Sequence, residues 1–464
     1  MTRGLGVLAP VTLLGLALAA LVVLGGQSSQ IAVLLAATFL WSALAWRQEW
    51  PIVLPLVATG WGTTVFTTEA GLTVGQSAST FGPTKIAPLI LLVGATALLL
   101  ANDRARHSVR LPVAVYLFGA YLFWQLVCVG QSAHPTLSLL RVVQAAIPFG
   151  VVVVLAQRKV SPMWLVYPTL AACSAHVLYT LTAGTYVGFT GEQRLVGLLI
   201  ANSFACAAGL VIVIALALWQ GQLLPRRLRW LPLPLIGVAT LAIDQSVGRT
   251  ASIAVPSAIV IGCVFFGGTP GRSGVSSGRR LLLTLVVLFA GLYATSQAGQ
   301  LVTWFSTGNQ SLDTLTGRTV LWKLIGELVQ RSPVFGYGPG SMRFGDPELR
   351  GTLGSLLDLG QAHNSYFEAL INTGYPGAFL WLVSMFALVV RAWRIQTQFR
   401  PLVLSLVVVL SMFSITLGNM SGFGIGWYAL MMTLGIACSP TSLSSPERAS
   451  KRAVTLATVR GRPV

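Results

Sequence analysis

The sequence predicts an all-α integral membrane protein of about 12–14 transmembrane helices, with one large extracytoplasmic loop containing short helices. Three observations carry this. Of the 464 residues, 54% are hydrophobic and only 9% charged, with a mean hydropathy of +0.76, whereas a soluble globule needs about a quarter of its residues charged to cover its surface. Apolar runs such as Leu281 to Ala294 and Phe379 to Val390 lie inside stretches of the roughly twenty residues that a helix needs to cross hydrocarbon. The basic residues fall in alternate connections.

Along the hydrophobic runs, every second connection holds Arg3, Arg47, Arg104, Arg106, Arg110, Arg158, Lys159, Arg226, Arg227, Arg229, Arg272, Arg279 and Arg280, and the series continues through Arg391, Arg394 and Arg400. The intervening connections hold far fewer. This is the positive-inside bias, so the net charge of +18 and pI near 10.6 orient the chain in a membrane and imply no nucleic acid. It also puts both termini on the cytoplasmic side of a multi-pass plasma-membrane protein.

Taken in order, the spans centre near residues 15, 38, 59, 93, 120, 146, 172, 207, 237, 259, 290, 380, 410 and 431. Val7 to Leu24 resembles a signal peptide, but another span follows almost at once and it reads as an uncleaved first helix. Residues 1–438 form one membrane domain without visible repeats. Its main interruption is the extracytoplasmic loop 300–365. There Thr319 to Gln330 predicts a helix with Val320, Leu321, Leu324, Ile325, Leu328 and Val329 on one face and Lys323, Glu327 and Gln330 opposite, able to lie on the outer membrane surface. Ser332-Pro333 ends it, and Gly336 to Ser341 reads as a structural turn, without the lysine of a nucleotide-binding loop. Residues 439–464, rich in Ser, Pro and basic side chains, predict a disordered basic cytoplasmic tail. Cys128, Cys173, Cys206, Cys263 and Cys438 are scattered singly and form neither a metal spacing nor a disulfide framework.

Charged groups near membrane spans demand a reason. Arg194, opening the span Leu195 to Trp219, Arg249, in the turn after Asp244, and Arg318, before the amphipathic helix, all fall at the outer interface; Arg141 is a fourth candidate. Snorkelling or local pairs, Arg249 with Asp244 and Arg194 with Glu192, account for any one of them, but not for several on the side that the topology rule leaves poor in cations. Guanidinium offers a planar fork of donors that matches phosphate oxygens two at a time, so the group points to a lipid phosphate or pyrophosphate. Of the histidines, His107, His134 and His176 read as solvated or packed. His363 stands before the span Tyr366 to Val390, where Ser365 and Glu368 have capping-box spacing. The positive helix end and nearby arginines would keep its imidazole neutral, as a general base requires.

The order of motifs then becomes informative: Arg194-Leu195-Val196-Gly197 with Asn202; Ser246-Val247-Gly248-Arg249; Gly317-Arg318 with Trp322; Ser332-Pro333-Val334-Phe335-Gly336-Tyr337-Gly338; and His363-Asn364-Ser365-Tyr366 with Gly374 and Gly377. Over roughly residues 190 to 390 this resembles the bacterial O-antigen ligase and O-antigen polymerase family. The resemblance implies a metal-independent, inverting glycosyltransferase of the GT-C type without cofactors, acting on an undecaprenyl-pyrophosphate-linked glycan donor and a glycan, lipid or protein acceptor at the outer membrane face. It maps the family's functional residues onto His363 and Arg318 as catalytic groups, and onto Arg194, Arg249 and Arg318 as the pyrophosphate site. The chemistry agrees: a diphosphate leaving group gathers negative charge that fixed arginines can stabilise, and no acidic metal-binding cluster is apparent in the outer connections. Alternatives from the sequence are a polymerase of lipid-linked repeat units, or a transporter or flippase of the same substrates.

Overall fold

The structure, a computed structural model, describes residues 111–157, 161–189, 192–196, 201–220, 224, 228–246, 249–266, 318–344, 346–353, 361–395, 399–418 and 424–439. The expected spans centred near 15, 38, 59, 93 and 290, the loop residues 300–317 and 354–360, and the tail beyond 439 lie outside the described residues.

The helices, in chain order, are α1 (Val113–Cys128), α2 (Pro135–Gln157), α3 (Met163–Ala183), α4 (Ala201–Gln220), α5 (Pro232–Ser246), α6 (Arg249–Phe266), α7 (Arg318–Arg331), α8 (Ser341–Phe344), α9 (Pro347–Leu353), α10 (Ser365–Arg394), α11 (Arg400–Ser414) and α12 (Gly424–Cys438). The expected centres from 120 to 259 and from 380 to 431 each fall within one of them. By length and composition, Val113–Gln131, Pro135–Gln157, Asn202–Trp219 and Ser365–Arg394 can cross a membrane, with α11 and α12 as shorter apolar helices. This is an all-α membrane protein. Pro148, Pro168, Pro256 and Pro376 lie within helices, as membrane helices tolerate where neighbours take up the freed carbonyls.

In the bundle, α12 is buried along its whole length and α4 nearly so. Lipid tails are as apolar as leucine, so association depends on close packing and small residues. A Cβ on Gly435 would meet Leu165 Cδ1 at 2.5 Å, and one on Gly209 would meet Val255 Cγ2 at 2.9 Å. The Trp427 indole N–H donates to the Ala145 carbonyl at 3.0 Å, joining α12 to α2.

A two-stranded hairpin departs from the purely helical expectation: β1 (Thr185–Phe189) pairs antiparallel with β2 (Glu192–Val196), Thr185 opposite Val196 and Phe189 opposite Glu192. Arg194 therefore lies in a strand and does not open a span, which begins at Ala201. The β-branched and aromatic character of Tyr186, Val187, Phe189 and Val196 suits a pleated ladder.

Several ties place the chain's polar features at one end of the bundle. Ser405 Oγ of α11 donates to the Ala258 carbonyl of α6, while Gly209, Val255 and Phe413 meet, so the C-terminus of α11 and the N-termini of α4 and α6 coincide. Ser365 Oγ donates to the Leu417 carbonyl, bringing the start of α10 there too. Tyr186 of β1 is hydrogen-bonded to Gln245 in the last turn of α5. At the opposite end, Arg391 Nε donates to the Ala437 carbonyl at 3.0 Å, and Arg400 stacks over Trp393.

Candidate active site

The site is built on a broken helix. Gly374 interrupts α10 with φ 66 and ψ −170, and Pro376, lacking an N–H, follows it. A continuous helix would have paired the Ile371 carbonyl with the Tyr375 N–H and left the Asn372 carbonyl, four residues before Pro376, without a donor. The glycine-rich turn takes all three: Tyr337 N donates to Ile371 O at 2.8 Å, Gly338 N to Asn372 O at 3.0 Å, and Tyr375 N to Pro333 O at 2.8 Å. This satisfies buried backbone groups that would otherwise be orphaned. It also requires glycines, since Cβ atoms at Gly336 and Gly374 would lie 2.5 Å from backbone oxygens at positive φ. The structural turn read from Gly336 to Ser341 is thus a splice into α10. Nearby, Trp124 Nε1 donates to Thr373 O at 3.0 Å, and its ring stacks on Phe335.

On this splice sits a cap of α7, α8 and α9. Leu321, Ile325, Leu328 and Val329 of α7 are fully buried among Tyr337, Met342, Leu349, Leu353, Ala362 and Ile371, whereas Val320 is 48% exposed. The apolar face foreseen for a membrane surface is therefore covered by protein, because residues 333–353 fold back over it. Asp346 caps α9, accepting from Glu348 N at 3.0 Å and Leu349 N at 3.5 Å. The Tyr337 hydroxyl reaches Leu328 O and Glu348, and its pKa is pushed up to about 12 by burial and then by that carboxylate.

Docking of α7 assembles the first two candidate residues. Trp322 stacks on Phe367, with ring centroids 5.3 Å apart, and its Nε1 donates to Ala362 O at 2.9 Å. Arg318 opens α7 one turn earlier on the same side. His363 follows Ala362, half-buried, with Nδ1 3.4 Å from Gln361 Nε2. Burial and then the Arg318 charge lower its pKa from 6.5 to about 3. The imidazole is neutral at physiological pH, and Arg318 is one of the causes.

The capping expectation needs correction. The N-cap of α10 is Asn364, whose Oδ1 accepts from Tyr366 N at 2.9 Å and Phe367 N at 3.3 Å. Ser365 turns away to Leu417. Glu368 reaches past the cap to the Ala362 N–H at 2.7 Å, because the left-handed turn at His363 (φ 51) carries that N–H back over the helix start. Glu368 is 1% exposed, also accepts from Asn372 Nδ2 at 3.4 Å, and feels the charges of Arg141 and Arg343. Arg141, 7% exposed in α2, thus joins the site's periphery. Arg343 in α8 was missed; its signal was an outer-loop arginine directly after the glycine-rich turn.

Arg194 stands opposite Val187 in the hairpin, and Arg249 is the first residue of α6. Their backbones lie at the same end of the bundle as His363, while their side chains lie outside the described part of the structure. His176 is fully buried in α3.

Fold and site together define an integral membrane protein with a neutral histidine and an arginine in a cap at one end of its helices. Residues 194–382 match the Wzy_C family model, described as O-antigen ligase, so this region is similar to the O-antigen ligase/polymerase family. The match begins at Arg194 and takes in Arg249, Arg318, the splice and His363. It supports membrane glycosyltransferase activity of the O-antigen ligase/polymerase type on lipid-linked glycans. A search of curated proteins found no match.

Proposed function

We propose that the protein transfers a saccharide from an undecaprenyl-pyrophosphate carrier to an acceptor hydroxyl on the outer side of the plasma membrane. His363 takes the proton of the acceptor O–H as its oxygen attacks the anomeric carbon. The bond from that carbon to the diphosphate oxygen breaks on the opposite face, inverting the centre, and the electron pair leaves with the prenyl diphosphate. Arg318, with Arg249 and Arg194 drawn from the same end of the bundle, holds the diphosphate and stabilises the charge it gains. In this reading arginines do the work that a divalent metal does elsewhere.

The observation that carries the reading is the docking of α7, through Trp322 on Phe367 and on the Ala362 carbonyl, which brings Arg318 to His363; burial and that charge keep the imidazole neutral. A base must begin deprotonated. Donor binding places phosphate oxygens against Arg318, offsets the cationic charge that helps depress the imidazole pKa, and so makes His363 more basic when a proton must be taken. Sidedness is supported by the basic connections: Arg391, Arg394 and Arg400, and likewise Arg229, stand at the end opposite His363. A polymerase would use the same groups, with a second lipid-linked glycan as acceptor.

The test is reconstitution in lipid with lipid-linked donor and acceptor. A new glycosidic bond formed without an energy source, and undiminished by EDTA, is expected. Substrate movement without bond formation would establish the transporter reading, and loss of transfer in EDTA restored by magnesium would overturn the metal-free mechanism. For sidedness, a cysteine replacing the exposed Glu327 of α7 should react with an impermeant thiol reagent in intact spheroplasts, with native cysteines silent. Labelling only after lysis would reverse the orientation.

A further inference from the structure

Both polar groups of Ala362, the residue before His363, are engaged from elements far apart in sequence. Its N–H donates to Glu368 Oε2 at 2.7 Å, and its carbonyl accepts from Trp322 Nε1 at 2.9 Å. On the other side of His363, Asn364 is fixed as the N-cap of α10. Between these anchors His363 has φ 51, the sole positive φ at a non-glycine among the described residues. Such a conformation persists only where its surroundings over-determine it, and it concentrates where side chains must be aimed.

The geometry points to Trp322 and Glu368 as positioning residues for His363: by clamping the Ala362 peptide from both sides they set the imidazole in register with Arg318. The inference deepens the proposed function and rests on its assignment of His363 as the base. Trp322 serves two ends at once. Its indole N–H fixes the chain next to His363, and its helix carries Arg318 one turn away, so one side chain sets the spacing of the two groups. Stacking on Phe367 holds the indole in the orientation its hydrogen bond needs. Glu368 is in turn held by Asn372 and by the charges of Arg141 from α2 and Arg343 from α8. The charged group acting on the imidazole itself is Arg318 from α7.

Trp322→Phe keeps a ring on Phe367 and removes only the N–H, so it is the primary test, made on full-length protein in lipid after insertion and monodispersity are confirmed. A misplaced catalytic group costs on the order of a hundredfold; that loss is expected in kcat, with the donor KM unchanged. The acid limb of kcat/KM should move from near 3 toward the 6.5 of a solvated histidine as the imidazole loses its place. In a His363→Ala background, Trp322→Phe should cost nothing further, because the clamp then aims no group. Glu368→Gln, which retains an acceptor for the Ala362 N–H, should keep more activity than Glu368→Leu. A loss confined to KM, an unmoved acid limb, or full additivity with His363→Ala would overturn the positioning role while leaving the base assignment intact. Wild-type rates in His363→Ala alone would remove the base assignment itself, and the clamp with it.

Discussion

The bundle and the cap solve packing in different ways. In the bundle, α4, α6, α11 and α12 meet through glycines and short side chains, as where Gly209 lies against Val255 and Phe413. In the cap, backbone groups released by the break at Gly374 bind the turn at Tyr337 and Gly338, and indole and carboxylate groups reach the chain beside His363. Helices in lipid satisfy their own backbones and need only close approach. A water-facing cap can expose, break and re-pair its backbone, and so can place a histidine in a left-handed turn. The difference fits the proposed function, in which the cap carries the chemistry and the bundle is its foundation.

The largest test of this division is His363→Ala, which should lower single-turnover transfer by about a hundred to ten thousand fold, as removal of a general base does, with donor affinity retained. Parallel loss of donor binding would make His363 a binding residue. Next comes Gly374→Ala. The added Cβ meets Pro333 O at 2.5 Å at φ 66, which should destabilise the cap by about 3 kcal/mol. It should be seen as a lower Tm and new proteolytic cleavage within residues 318–353. An unchanged Tm would mean the splice is not structural. Smaller again is Arg318→Lys, which keeps charge but loses the fork; donor use should fall roughly tenfold, the worth of one charge-assisted hydrogen bond. Full activity would remove the guanidinium clamp.

In the bundle, Gly209→Ala presses on a side-chain methyl and not on backbone, Cγ2 of Val255 at 2.9 Å, and should cost about 1 kcal/mol. If thermal melts show it costs as much as Gly374→Ala, the contrast between the regions fails. Above pH 6.5 the effect of pH through His363 should be the smallest of all. The unfolded chain protonates His363 near 6.5 and the folded one near 3, so its contribution to stability is complete above 6.5 and declines as pH falls toward 3. The same group should leave kcat/KM flat between pH 5 and 8. A histidine-like inflection in that range, absent from His363→Ala, would place the imidazole in water.

The sequence by itself determined the class of the fold, since apolar length and the spacing of arginines reflect local transfer free energies that need no partner. It likewise marked His363 and Arg318, because a charged or titratable group beside a span is costly wherever it packs. The amphipathic pattern of α7 was legible too, and placed Leu321, Ile325, Leu328 and Val329 on one buried face. What covers that face was not, because periodicity tells which side is apolar but not whether lipid or protein lies against it. Asn364 in place of Ser365 as the cap, Glu368 reaching the Ala362 N–H, and the splice of Gly336 to Gly338 into α10 were decided only by tertiary structure. Each depends on a backbone group left unpaired in one segment being met by another far away, and local sequence carries no record of that pairing.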